Sequence, residues 1–165
     1  MAHPIPDNAL DDRIAIVGTS GSGKTYAAGT MVERLMTLGS RVVVVDPLDV
    51  WWGLRAKADG SPSAFPVVIF GGAHGDLPIN EHAGALIGET VASMAESCIV
   101  SLGTIGTKAA ERRFMLTFLT ALYRNTKGGL LHLIFDEADM WAPERMLDQI
   151  EVARLEENRE RCGAA

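Results

Sequence analysis

The chain has 165 residues, 47% hydrophobic and 22% charged, with a formal net charge of −6. Such a composition excludes a fibrous, low-complexity or disordered chain and leaves one globular domain with a core of its own. The acidic balance, with a pI near 5.2, offers no basic footprint for nucleic acid, although a small basic patch fits inside an acidic total.

Residues 1–12 are polar, carry Pro4 and Pro6, and read as a loose lead-in ahead of a domain over 13–165. They lack the basic start and apolar stretch of a signal peptide. No apolar run reaches membrane-spanning length, so no membrane partner is expected. Cys98 and Cys162 lie far apart in no metal-ligand spacing. Cys98 sits in an apolar run as a small core residue, and a reducing cytoplasm is the expected compartment.

Residues 13–17, RIAIV, form a short apolar run and predict the first strand. GTSGSGKT follows over 18–25, and apolar residues then recur at Ala27, Ala28, Met31, Val32, Leu35 and Leu38, a helical spacing that Gly39 ends. Val42–Val45 predict a strand covered on both faces, closed by Asp46-Pro47. Residues 55–63 read as a loop, 66–70 as a third strand, and GGAHGDLPIN as the Gly-rich loop after it. Asn80 is placed to cap a helix running to about Ser97, with Ala83, Leu86, Ile87, Val91 and Met94 on one face. Residues 98–100 predict a fourth strand. A helix over 108–125 turns Phe114, Met115, Phe118, Leu119, Leu122 and Tyr123 inward and closes at Gly128-Gly129. Residues 130–135 predict a fifth strand, and a charged amphipathic helix begins near Pro143. Its mixed charges read as a solvated, salt-bridged face. Strands alternating with helices imply a three-layer α/β domain with a mainly parallel sheet of about five strands. Ligands in such sheets sit at the C-terminal strand ends.

The chemistry concentrates in two motifs. Strand, Gly-rich loop and helix around GTSGSGKT form a complete phosphate-binding loop. Its glycines let consecutive backbone N–H groups curl around phosphate oxygens, and the helix opening adds its positive end. Gly18, Thr19, Ser20, Gly21, Ser22, Gly23, Lys24, Thr25 and the adjacent Tyr26 are the expected nucleotide-binding residues. Lys24 is expected on the β and γ phosphates and Thr25 on Mg²⁺. In LHLIFDE an apolar strand ends in two carboxylates. Asp136 would hold the hydration shell of Mg²⁺, and Glu137 would orient and polarise the water attacking the γ-phosphate. A ready-made water activator favours hydrolysis over phosphotransfer.

Other residues carry weaker signals. His132 is placed as a satisfied core histidine. Trp51, Trp52 and Trp141 are apolar cover under loops, with adenine stacking as the alternative. His74 and Asp76 lie on the ligand edge, suited either to a turn or to a contact with nucleotide or a neighbouring subunit.

GTSGSGKT, Asp46-Pro47, FGGAHGDLP, RFMLTFLTALYRN and LIFDEADMWAP together resemble the HerA/FtsK superfamily of P-loop ATPases, nearest its HerA-like bacterial and phage members. The resemblance covers residues 13 to about 145. It implies a RecA/ASCE-like P-loop NTPase fold, Mg²⁺ and ATP as cofactor and substrate, hydrolysis, double-stranded DNA as a partner for translocation or strand separation, and a homo-oligomeric ring. Carried over by position, Lys24 and Thr25 take the loop roles, Asp136 the metal role and Glu137 the catalytic one.

The sequence departs from the family pattern in three places. Ser101 stands in IVSLGT where an acidic residue precedes a Leu-Ser pair, and Glu144 follows Ala142-Pro143 in place of glutamine. The sequence also stops one helix after Glu137, before the strand that ends in a polar sensor residue and before the arginine-finger region. The expectation is a sheet without the sensor strand, with a gap or unpaired edge beside the site. About a dozen residues before the first strand leave no room for the N-terminal β-barrel of HerA. A nucleotide-binding module without turnover is the alternative reading. A small-substrate phosphotransferase ranks lower, since no arginine-rich lid lies between the motifs, and a nucleotide-free scaffold leaves GTSGSGKT unexplained.

Overall fold

The computed structural model describes residues 5–56, 60–61, 65–127 and 130–140. The helix expected from Pro143, the Gly128-Gly129 stop, Trp141, Glu144 and Cys162 lie outside the described residues. Helix α1 spans Lys24–Thr37, followed by strand β1 (Arg41–Asp46), β2 (Val67–Gly71), α2 (Gly84–Ser93), β3 (Ser97–Ser101), α3 (Lys108–Asn125) and β4 (Leu131–Phe135). Short 3-10 turns cover Asp7–Asp11, Trp51–Arg55 and Ala138–Met140.

The four strands form one parallel sheet in the order β2-β3-β1-β4. This is the α/β architecture of a P-loop NTPase-like fold. The sheet explains why β1 is a run of valines. Val42 and Val44 pack into a core layer with Val32 and Leu35 of α1, while Val43 and Val45 face Phe114 and Phe118 of α3 and Val91 of α2. A central parallel strand covered on both faces has no solvent side to mark with polar residues.

Helix ends follow local chemistry. Gly39, at φ +80, closes α1 in a Schellman turn, with Ser40 N donating to Leu35 O and Gly39 N to Met36 O. Thr107 caps α3, its side chain accepting from Ala110 N. The α2–α3 pair is packed backbone to backbone. A Cβ on Gly88 would sit 2.5 Å from Phe118 O, and one on Gly84 would sit 2.4 Å from Phe114 O. Cys98 is buried in the same layer, which pushes its thiol up to about 12.

Several expectations are corrected. Residues 13–17 form no strand, and Val17 is 88% exposed. A strand exists only through a neighbour's ladder, and an open cleft of about 770 Å³ separates this run from β4. The sheet therefore has four strands among the described residues, and β4 pairs on one side only, with β1. Asn80 does not cap α2; its Oδ1 accepts from His82 N three residues before the helix, and α2 ends at Ser93. Tyr123 is 87% exposed, because the inward stripe of α3 ends at Leu122. His132 is nearly buried, yet its Nε2 has no hydrogen bond and stands 3.6 Å from Asp11 Oδ1. Residues 7–11, read as loose, form a 3-10 turn with Leu10 buried, and Asp7 pairs with Arg34.

Candidate nucleotide site

The phosphate-loop sequence lies at the mouth of the cleft between residues 13–18 and β4. Gly21 and Gly23 have φ of +75 and +88, a left-handed backbone that a side chain would strain. Gly23 is the N-cap of α1 and no side chain caps that end. The first-turn N–H groups of α1 are thus left to an external acceptor, the arrangement in which a helix start receives an anion. Lys24 folds back over the loop, its Nζ donating to Thr19 O at 3.2 Å. Tyr26 is 83% exposed on the outer side of α1.

The second motif meets the first. Asp136 N donates to Val45 O, so the β1–β4 ladder extends one step past the strand and holds the acidic pair at the C-terminal edge of β1. Thr25 Oγ1 donates to Asp136 Oδ1 at 3.3 Å. Glu137 N also donates to Oδ1, at 3.1 Å, which leaves Glu137 at φ +48. Left-handed backbone is uncommon for a glutamate, and it turns the chain sharply where the acidic pair lines the cleft. Of the expected site residues, Thr25 and Asp136 are in contact. Gly18, Lys24, Asp136 and Glu137 share the cleft.

Thr25 and Asp136 offer hard oxygen donors side by side. That fits Mg²⁺, which takes one or two protein oxygens and completes its octahedron with phosphate oxygens and water. Among the described residues no group of three or more His, Cys, Asp or Glu side chains converges, so a dedicated all-protein metal cage is not the design there.

Sequence reasoning placed Asp46 as a strand end and Trp51 as cover under a loop, which its burial bears out, but it did not foresee the bonds they make, and it did not single out Asp49. Asp46, fully buried, accepts from Leu48 N, Val50 N and Trp51 N at 3.1, 2.7 and 2.8 Å. Burial raises its pKa and the three N–H donors oppose the rise. Asp49, at φ +58, accepts from Ser101 Oγ at 2.7 Å and from Ala73 N. A carboxylate thus does sit at Ser101, the position where the family pattern has an acid, but it arrives from the loop after β1. Trp51 is buried, and its Nε1 donates to Asp136 Oδ2 at 2.8 Å. Because the residue is buried, its ring face is not open to a stacking partner. Trp52 stacks on His74 with ring centroids 4.1 Å apart. Asp76 is a turn residue, accepting from Ile69 N and from Arg55, and both bonds hold its pKa below the usual carboxylate range. The signal for Asp46 and Trp51 was available only as a strand-end Asp followed within five residues by a tryptophan.

Residues 5–49 match the family model described as the central domain of helicase HerA, which covers the phosphate loop, α1 and β1. The match supports a HerA/FtsK-type P-loop ATPase family for this part of the chain. No curated protein and no solved structure matches the chain. Among the described residues no helix is long and apolar enough to cross a membrane.

Proposed function

We propose that this chain binds Mg²⁺–ATP at the loop over residues 18–25 and hydrolyses it as a HerA/FtsK-like motor domain. The observation that carries the reading is the 3.3 Å contact between Thr25 Oγ1 and Asp136 Oδ1, residues 111 apart in sequence. A phosphate-loop motif and an acidic strand end that carries little weight by itself meet at one point of the fold.

In this reading the loop N–H groups and the start of α1 bind the phosphates. Lys24 exchanges the Thr19 carbonyl for the β and γ phosphate oxygens. Thr25 and Asp136 would hold Mg²⁺, which when bound neutralises charge on the phosphates. Glu137 orients the attacking water and takes up its proton. Work on double-stranded DNA by a cytoplasmic homo-oligomeric ring is the family-level extension, supported by the match over residues 5–49.

The test compares phosphate release by the wild type, Glu137→Gln and Lys24→Ala. Glu137→Gln should retain ATP binding and lose about 100-fold or more in turnover, and Lys24→Ala should lose binding. Equal background release by all three refutes hydrolysis. Unchanged ATP affinity in Lys24→Ala refutes the loop assignment. A second reading, nucleotide binding without turnover, is favoured by residues 13–17, which feed the loop without strand pairing. It predicts that the wild type releases phosphate no faster than Glu137→Gln while Lys24→Ala still loses affinity.

A further inference from the structure

We infer that Trp51 is a positioning residue for Asp136, fixing the orientation in which the carboxylate is presented to the metal; this rests on the nucleotide-site reading above. An aspartate carboxylate turns about χ2 in a broad well, so the direction of its plane is loosely set unless an oxygen is pinned. Here Oδ2 accepts from Trp51 Nε1 at 2.8 Å, and Oδ1 faces Thr25 Oγ1 and Glu137 N. An indole N–H is a donor only, so it can hold an acceptor oxygen and offers no acceptor in exchange. The tryptophan is itself held at both ends. Its backbone N–H donates to the buried Asp46 carboxylate at 2.8 Å, and the residue is only 4% exposed, within the core layer that holds Val42, Val44 and Ile69. A line of hydrogen bonds therefore runs from the end of β1 through Asp46 and Trp51 to Asp136. Partners of this kind, one step behind a metal ligand, typically set affinity by 10-fold to 100-fold.

The test uses the full chain, a fluorescent ATP analogue and Mg²⁺. Trp51→Phe keeps most of the buried ring and deletes the donor. Its half-saturating Mg²⁺ concentration should rise by about 10-fold, while analogue affinity in EDTA stays within about twofold of wild type. Trp51→His, which restores a ring N–H, should recover part of the loss. An unchanged Mg²⁺ dependence in Trp51→Phe overturns the assignment. The indole ¹H–¹⁵N resonance of the wild type gives a second readout that needs no Trp51 variant to fold, since Trp52→Phe and Trp141→Phe identify the remaining peak. It should move in Asp136→Asn and again when Mg²⁺ and analogue are added to the wild type. A peak that moves in neither case overturns the proposal. If the wild type binds the analogue no better than Lys24→Ala, the nucleotide-site reading fails and takes this inference with it. If the wild type binds with a Mg²⁺ dependence that Trp51→Phe retains, only the role of Trp51 falls.

Discussion

Replacing Gly88 by Ala should destabilise this domain, while the same exchange at Gly29 should stabilise it. Both glycines lie inside helices, where Gly costs up to about 1 kcal/mol relative to Ala. At Gly29, in α1, an added Cβ meets nothing within 4 Å. The full propensity gain should appear there, about 0.5–1 kcal/mol. At Gly88 the Cβ would lie 2.5 Å from Phe118 O, 2.9 Å from Ala121 Cβ and 3.0 Å from Leu122 N. Two of the three atoms are backbone, so no side-chain rotation relieves the clash. Relief requires α2 to lift off α3 by somewhat under ~1 Å, a gap that forfeits a quarter to a half of each dispersion contact it opens. Ile87 and Val91 against Phe114, Phe118 and Leu122 would feel it. Overpacking costs about 1–3 kcal/mol, which outweighs the propensity gain and leaves a net loss of ~1–2 kcal/mol. For a domain of this size that is a Tm lower by roughly 2–8 °C, against a rise of roughly 1–4 °C for Gly29→Ala. Thermal and urea unfolding by circular dichroism read both. A Gly88→Ala variant that melts at or above the wild type refutes the close-packing argument.

Two further outcomes follow from local chemistry. Asp76 has its folded pKa lowered by Ile69 N–H and Arg55. Its contribution is present above the unfolded value of 3.8 and is lost as pH falls through the folded one. Asp76→Asn should therefore flatten the acid limb of a stability–pH curve below about pH 4, and an unchanged limb contradicts the turn assignment. Thr107→Ala removes the cap of α3 and should cost about 1 kcal/mol in urea denaturation; a loss below ~0.3 kcal/mol would show that Ala110 N finds another acceptor.

What the sequence revealed depended on the range of the interaction. Helix α3 was legible to the residue, Lys108–Asn125, because its cap and its apolar stripe are both local. Strand β1 was legible because four valines satisfy both faces of a central strand. The meeting of Thr25 with Asp136 was foreseeable because a loop after one strand and an acidic end of another share the C-terminal edge of a parallel sheet. Residues 13–17 misled for a physical reason. An apolar run states that a segment suits a strand and says nothing of whether a partner edge lies within reach. Trp51 was hidden for a related reason: its bond to Asp136 spans 85 residues of sequence and leaves no periodicity. Tyr123 and Asn80 failed at element ends, Tyr123 one residue past the last inward position and Asn80 three residues ahead of the true N-cap, Ala83.

The one-sided pairing of β4 has a consequence for the energetics of any ligand at this site. Among the described residues, the five of β4 align with β1 and with no other strand, and none of the five is fully buried. β4, which leads into Asp136, therefore opens more readily than β1, which is held by ladders on both sides. A molecule bridging the phosphate loop and Asp136 acts as the missing outer brace, and part of its binding free energy goes into holding that margin closed. Measured affinity then understates the contact energy, and saturation raises the stability of the margin by mass action. Slower amide exchange along residues 131–135 would report occupancy before any change in the global melting point.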